Sequence, residues 1–283
     1  MYKILFFGTS EFAVPSLRAL QDDGRFEIAG IVTQPDRPVG RHAKVTASPI
    51  KKNVGTMCMV QQPEKLSDPD FKNWISEIGA SCEAFIVISY GKILPQWLLD
   101  IPTQGVINIH GSILPKWRGA SPIQAAIRAG DAITGITIMK MDAGLDHGPI
   151  ISIQKEKILD TDTGGSLHDR LAHIGGNMLP NILCDYFEGK IMPIEQAHLE
   201  ATSCRTLTRD DGKIDWNMPA IEIERMIRAY TPWPGAWTIQ NEKRIKIHSA
   251  KIGSNNQIEI LTLQPEGKKI MDFKTFLRGN TWN

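Results

Sequence analysis

Apolar positions in this chain fall into two spacings, short continuous runs and helical stripes, and their alternation predicts layered α/β structure. Lys3 to Phe7 is an apolar run closed by Gly8-Thr9-Ser10; Phe12, Val14, Leu17 and Leu20 then recur at helical spacing, and Phe26 to Val32 is a second run. Strand, turn, helix and strand in that order open a doubly wound, mostly parallel sheet. Ser10 is the expected N-cap of the first helix, with Pro15 in its first turn. Gly8 stands alone in the turn, so the G-x-G-x-x-G fingerprint is missing and NAD is not expected.

Further along, helices are predicted over Ser48 to Val54, Asp70 to Ile78 and Ser121 to Arg128, with a helical stub at Trp97 to Leu99. Strands are predicted over Met57 to Val60, Ala84 to Ile88, Thr134 to Met141 and Pro149 to Ile153. Thr163 to Phe187 reads as one long helix, capped by Thr163 or Ser166 and bent at Gly175-Gly176. Lys190 to Cys204 lacks periodicity and contains Pro193, which suggests a linker. Beyond it come a turn-rich entry from Thr206 to Trp216, a helix from Ala220 to Tyr230 and a rigid aromatic turn, Thr231 to Trp237. Short alternating strands follow at Trp237 to Gln240, Arg244 to Ile252 and Gln257 to Leu263, as in a small β-domain. The expected division is therefore residues 1–189, a linker over 190–206, and a C-terminal domain over 207–283.

One strand breaks the apolar rule. Val106-Ile107-Asn108-Ile109-His110 is β-branched and apolar except for an Asn and a His on one face, followed by a Gly/Pro loop. Two core polar residues satisfied by backbone would explain it, but side chains at the carboxyl end of such a strand sit where open α/β sheets bind ligands. The loop Asp142-Ala143-Gly144-Leu145-Asp146-His147-Gly148 adds two acids. Asp142 is expected to form the turn, whereas Asp146 competes for a place at the site, to be judged by its distance from His110.

Composition narrows the remaining classes. The chain has 283 residues and a formal net charge of +1, and its four cysteines, Cys58, Cys82, Cys184 and Cys204, have no metal-like spacing. Reduced thiols, no metal and a cytoplasmic location are expected. No apolar run reaches the roughly 18 residues of a membrane span, and the N-terminus reads as a strand, not a signal peptide. Gln34 to Lys44 is too rich in Pro, Gly and charge for a regular element, and from Gln34 to Lys52 five basic residues face one acid. On composition alone this is a solvated loop; the functional alternative is an arm that meets phosphate.

The stretch Asn108-Ile109-His110-Gly111-Ser112-Ile113-Leu114-Pro115-Lys116-Trp117-Arg118-Gly119-Ala120-Ser121-Pro122-Ile123-Gln124 resembles the signature of the methionyl-tRNA formyltransferases. Thr33 to Gly40, Ser48 to Lys51, Gly135 to Asp142, Gly144 to Asp146, Asp211 to Trp216, Pro232 to Gly235 and Leu263 to Lys269 agree with it, nearly end to end. The resemblance implies a Rossmann-like formyltransferase domain with a mostly parallel sheet, followed by a small, shortened OB-like β-domain. It implies transfer of a formyl group from 10-formyltetrahydrofolate to the amino group of methionyl initiator tRNA, by a monomer and without a metal. Asn108, His110 and Asp146 match the family's catalytic triad. Ser112, Ile113, Leu114 and Pro115 would border the folate pocket, with Tyr90, Gly91, Ile93 and Leu94 on the pterin side. Arg37, Arg41 and Lys44 match the arm that reaches the tRNA acceptor end, which reverses the solvated-loop reading, and Lys243, Arg244, Lys268 and Lys269 would hold the tRNA from the C-terminal domain.

The chain departs from the family pattern in two places. It is short between Ile252 and Ile258 and ends soon after Lys269, and His147 stands where the family has a small hydroxyl residue. The alternatives are a formyltransferase acting on an amino-sugar nucleotide, a formyltetrahydrofolate hydrolase, and a non-catalytic folate- or RNA-binding module on the same scaffold. The basic arm argues against a sugar acceptor, and the joint presence of Asn108, His110 and Asp146 against a dead scaffold.

Overall fold

A computed structural model describes residues 1–39, 43–54 and 59–282. In chain order its elements are β1 (Tyr2–Gly8), α1 (Val14–Asp22), β2 (Phe26–Val32), β3 (Arg37–Val39), β4 (Lys44–Thr46), α2 (Pro49–Asn53), β5 (Val60–Gln61) and α3 (Pro69–Gly79). Next come β6 (Ala84–Ile88), α4 (Gln96–Leu99), β7 (Val106–His110), β8 (Arg118–Gly119), α5 (Pro122–Ala129), β9 (Ile133–Lys140), β10 (Ile150–Lys157) and α6 (Gly164–Phe187). The chain closes with β11 (Ser203–Cys204), α7 (Ala220–Ala229), β12 (Ala236–Gln240), β13 (Lys243–Ile252), β14 (Ile258–Pro265), β15 (Met271–Asp272) and α8 (Phe273–Leu277).

Contacts divide the chain into two units. The first comprises Met1–Arg118, Gly135–Glu156 and Asp169–Thr202; the second comprises Gly119–Thr134, Lys157–His168 and Ser203–Asn283. Unit 1 is built on a sheet of order β10-β9-β7-β6-β1-β2-β5, in which β5, β2, β1, β6 and β7 run parallel and β9 pairs antiparallel with β7. This is the mostly parallel α/β architecture expected. The central strands β1, β6 and β7 are nearly or wholly buried, as continuous apolar runs require when both faces of a sheet are covered. On one face Leu5, Phe7, Phe85, Val87 and Val106 pack with Phe71, Ile75, Leu98 and Leu99 from α3 and α4.

The other face takes α6, which is continuous from Gly164 to Phe187. Gly175-Gly176 was expected to bend it. Their role is close approach instead: a Cβ on Gly176 would lie 2.8 Å from the backbone carbon of Pro15, and one on Gly175 would lie 3.3 Å from Ile109 Cγ2. Thr163 and Ser166 cap the helix reciprocally, each side-chain oxygen accepting from the other's backbone N–H at 3.1 and 2.9 Å.

Two other expectations change. Ser10 precedes a short 3-10 turn, Glu11–Ala13, without a side-chain cap, because its hydroxyl hydrogen-bonds Ser89 Oγ at 2.8 Å. The basic stretch read as irregular contains the β3–β4 pair, with Arg37 opposite Thr46 and Val39 opposite Lys44. Residues 40–42, Arg41 among them, lie outside the described residues, as do Met57 and Cys58 of the strand expected at Met57 to Val60.

Unit 2 holds a four-stranded sheet of order β12-β13-β14-β15, antiparallel throughout. The three strands read from alternation are present. The short β15 and α8 were not foreseen; Trp282 packs edge-on against Trp216, Phe273 and Phe276 there.

Adding a methyl at Gly176 forces backbone against backbone, so Gly176→Ala should lower unfolding free energy by about 1–3 kcal/mol in a urea titration. Gly24→Ala, where a Cβ meets nothing within 4 Å, is the control and should leave the midpoint unchanged.

Candidate active site

Every residue of β7 is buried, and alternation sends its side chains to opposite faces of the sheet. Ile107 and Ile109 take the α6 face, where Gly175 approaches Ile109. Val106 belongs to the apolar cluster on the other face, and Asn108 and His110 continue that face toward the carboxyl end of the strand. Asn108 is 9% exposed, and its side-chain amide has no hydrogen-bond partner among the described residues. In a strand whose neighbours are apolar, such an unspent donor marks a place for a ligand.

His110 is held on both sides. Its Nε2 donates to the carbonyl of Trp117 at 2.9 Å, and its Nδ1 lies 3.5 Å from Asp146 Oδ2, an ion-pair distance longer than a hydrogen bond. A carbonyl only accepts, so Nε2 carries a proton; only the doubly protonated ring donates to both partners. Both side chains are largely withdrawn from solvent, at 7% and 14% exposure. Asp146, and not Asp142, is thus the carboxylate of its loop that lies beside His110. Its φ of +46° is left-handed, a conformation that costs a non-glycine residue about 1–2 kcal/mol and that its surroundings must offset.

The loop after β7 is braced from β9. Thr137 Oγ1 donates to the carbonyl of Ser112 at 2.7 Å and accepts from the N–H of Leu114 at 3.1 Å, while Ser112 Oγ donates to the carbonyl of Lys116 at 2.6 Å. Asp142 forms the turn, accepting from the N–H of Gly144 at 2.9 Å. His147, adjacent to Asp146 in sequence, is engaged elsewhere: its Nδ1 is 2.6 Å from Asp142 Oδ2 and its ring stacks on His198 at 4.0 Å between centroids. Residues 190–202, expected as part of a linker, lie in unit 1, where Ile194 exchanges backbone hydrogen bonds with Ile150 and Gln196 is buried. No periodicity or composition marks Gln196, His198 or Thr202, and reading the sequence missed all three.

Among the residues expected to line a pocket, Ser112, Leu114, Tyr90 and Leu94 are buried, Ile113 and Pro115 half-buried, and Gly91 and Ile93 exposed. The Tyr90 hydroxyl has no hydrogen-bond partner among the described residues, and burial pushes its ionisation well above the usual phenol range. The backbone carbonyl of Tyr90 is fixed by Thr9 Oγ1 and Gln34 Nε2 at 3.0 and 3.1 Å. In the basic arm, Arg37 pairs with Glu64 at 2.8 Å and Lys44 is exposed. In unit 2, Glu266 N–H donates to the carbonyl of Arg244, which brings Lys268 and Lys269 to the end of the β13–β14 hairpin where Lys243 and Arg244 lie. The Arg244 guanidinium stacks over Trp237 at 3.8 Å.

A family model described as formyl transferase matches residues 2–183, and one described as formyl transferase C-terminal domain matches residues 206–259. A methionyl-tRNA formyltransferase of Myxococcus xanthus is 38% identical over 98% of this chain and 95% of its own length. One from Marinobacter nauticus is 45% identical over 88% of this chain and 79% of its own length. The chain belongs to the methionyl-tRNA formyltransferase family. Solved structures agree on the fold. A methionyl-tRNA formyltransferase from Clostridium thermocellum superposes with a TM-score of 0.64 at 16% identity, covering 96% of this chain and all of that one. The sugar 3N-formyltransferase WlaRD superposes at 0.69 with 18% identity, covering 95% and 99%. Among the described residues no group of His, Cys, Asp and Glu is arranged to hold a metal, and no helix is long and apolar enough to cross a membrane.

A buried hydroxyl without a partner costs stability that phenylalanine does not. Tyr90→Phe should therefore raise the unfolding free energy of the ligand-free protein by about 1 kcal/mol, measured by urea denaturation.

Proposed function

We propose that this member of the family transfers the formyl group of 10-formyltetrahydrofolate to the amino group of methionyl initiator tRNA. The observation that carries the reading is the convergence of Asn108, His110 and Asp146 at one strand end, with His110 between a carboxylate and a carbonyl and the Asn108 amide unspent. Attack of the methionyl amine on the formyl carbon forms a C–N bond and places negative charge on the former carbonyl oxygen. Collapse breaks the bond to the folate nitrogen, which takes up a proton as tetrahydrofolate leaves, while the amine gives up one, so the transfer is proton-neutral. Asn108 supplies neutral N–H donors for the oxyanion; His110 donates to it or takes up the amine proton; Asp146 orients the ring and stabilises it when charged. Folate is expected against Ser112 to Pro115, with Tyr90 to Leu94 on the pterin side. The tRNA is expected along Arg37, Arg41 and Lys44 in unit 1 and Lys243, Arg244, Lys268 and Lys269 in unit 2, whose side chains suit phosphate.

The test follows formyl label from 10-formyltetrahydrofolate onto methionyl initiator tRNA, an amino-sugar nucleotide, or no acceptor. Label on the tRNA alone is the expected outcome; label on the sugar, or release of formate, would reassign the acceptor. In the same assay Asn108→Ala should lose about 10²–10³ in kcat, the usual cost of one oxyanion donor.

A further inference from the structure

His110 depends on two loops that come from different parts of the chain, one carrying the Trp117 carbonyl and the other Asp146. Neither loop contains a long regular element, yet both are bonded to one segment. Gln196 is 4% exposed and uses its whole hydrogen-bonding capacity. Its Nε2 donates to the carbonyls of Asp146 at 3.0 Å and Gly148 at 2.7 Å, and its Oε1 accepts from Arg118 Nε at 3.1 Å and Nη2 at 2.6 Å. Six residues on, Thr202 Oγ1 accepts from the N–H of Trp117 at 2.9 Å, and the Thr202 carbonyl accepts from the N–H of Arg118 at 2.8 Å.

Between these anchors His198 adds a third tie. Arg118 Nη2 lies 2.9 Å from His198 Nδ1, and a guanidinium only donates, so that nitrogen presents its lone pair while the ring stacks on His147 of the Asp146 loop. The segment thus grips both partners of His110 from behind.

We propose that residues 196–202 are a positioning strap for the active site: Gln196 holds Asp146 in its left-handed conformation, and Thr202 holds the Trp117 carbonyl. The inference rests on the reading that His110 and Asp146 carry the transfer. Gln196 acts through Asp146 and is a positioning residue. Two donors on the carbonyls either side of His147 supply a fixed anchor for a backbone that would otherwise relax, and a shift of about 1 Å at the carboxylate is enough to cost about 10²-fold in rate.

The experiment is a double-mutant cycle on the full-length protein, reading kcat and both KM values for formyl transfer to methionyl-tRNA. Gln196→Glu keeps an acceptor for Arg118 but removes both donors to the loop, whereas Gln196→Met removes every bond at similar size. Each should lower kcat by about 10–100-fold with KM changed by no more than about twofold, and in an Asp146→Asn background the further loss should be under about threefold. Thr202→Val should lower kcat, and Thr202→Ser should restore it.

A Gln196→Glu variant with unchanged kcat, or with its loss repeated in full on Asp146→Asn, overturns the proposal. So does a loss confined to KM. Failure of Gln196→Glu to fold, judged by its thermal midpoint, assigns the residue to the scaffold instead. An Asp146→Asn variant with unchanged kcat sinks the catalytic reading itself, which separates the two failures.

Discussion

Both ring nitrogens of His110 face acceptors, a backbone carbonyl on one side and a carboxylate on the other. This constraint reaches outward to β9 and to residues 196–202. A buried imidazole so placed is useful only if its two partners stay fixed, because a proton moves between groups whose separation and direction are set in advance. The strand end fixes the histidine. Thr137, one strand away, fixes the loop that follows it, and Gln196 and Thr202 tie the two partner loops to a single segment. The geometry around His110 at the sheet's carboxyl end is therefore set by side chains from other parts of unit 1.

Much of this was legible in the residues alone. An Asn and a His within a β-branched strand conflict with burial, and conflict of that kind is where a site is expected. Strong periodicity placed the long helix and the three main strands of unit 2. The remainder was hidden for physical reasons. The β3–β4 pair is written in Arg, Pro, Val, Lys and Thr, with no alternation of apolar and polar positions to betray it. Gly175-Gly176 looked like a flaw in a helix because sequence cannot show what a glycine lets come close; here it is the backbone at Pro15 and the side chain of Ile109. Gln196 was invisible because its importance lies wholly in what its four hydrogen bonds reach.

The arrangement of Asn108, His110 and Asp146 bears on the transfer chemistry proposed for it and leaves the acceptor to other surfaces. A sugar 3N-formyltransferase and a methionyl-tRNA formyltransferase share this fold at 16–18% identity, so fold alone does not select a tRNA over a sugar nucleotide. Charge distribution does bear on that choice. The segments 34–52 and 241–283 each carry a net charge of +4 in a chain whose total is +1, so the rest of the protein is net acidic and positive charge is concentrated in two places. A polyanion is drawn to such places and repelled elsewhere, whereas a small sugar nucleotide has little use for two of them.

The arm's own ion pairs fit this division. Arg37 and Glu64 are 59% and 66% exposed, so their pair is screened by solvent and contributes about 0–1 kcal/mol. A phosphate can take Arg37 from Glu64 at little cost. Lys51 differs: it is held by Asp36 at 2.8 Å and Gln62 at 2.6 Å, with Gln62 also bonded to Asp36 and to the Gln34 carbonyl. Three polar side chains satisfy one another there, so releasing Lys51 would leave several groups without partners. Lys51 is thus firmly anchored just after the β3–β4 pair, while Arg37, at the base of that pair opposite Thr46, is lightly tethered and free to exchange one ionic partner for another.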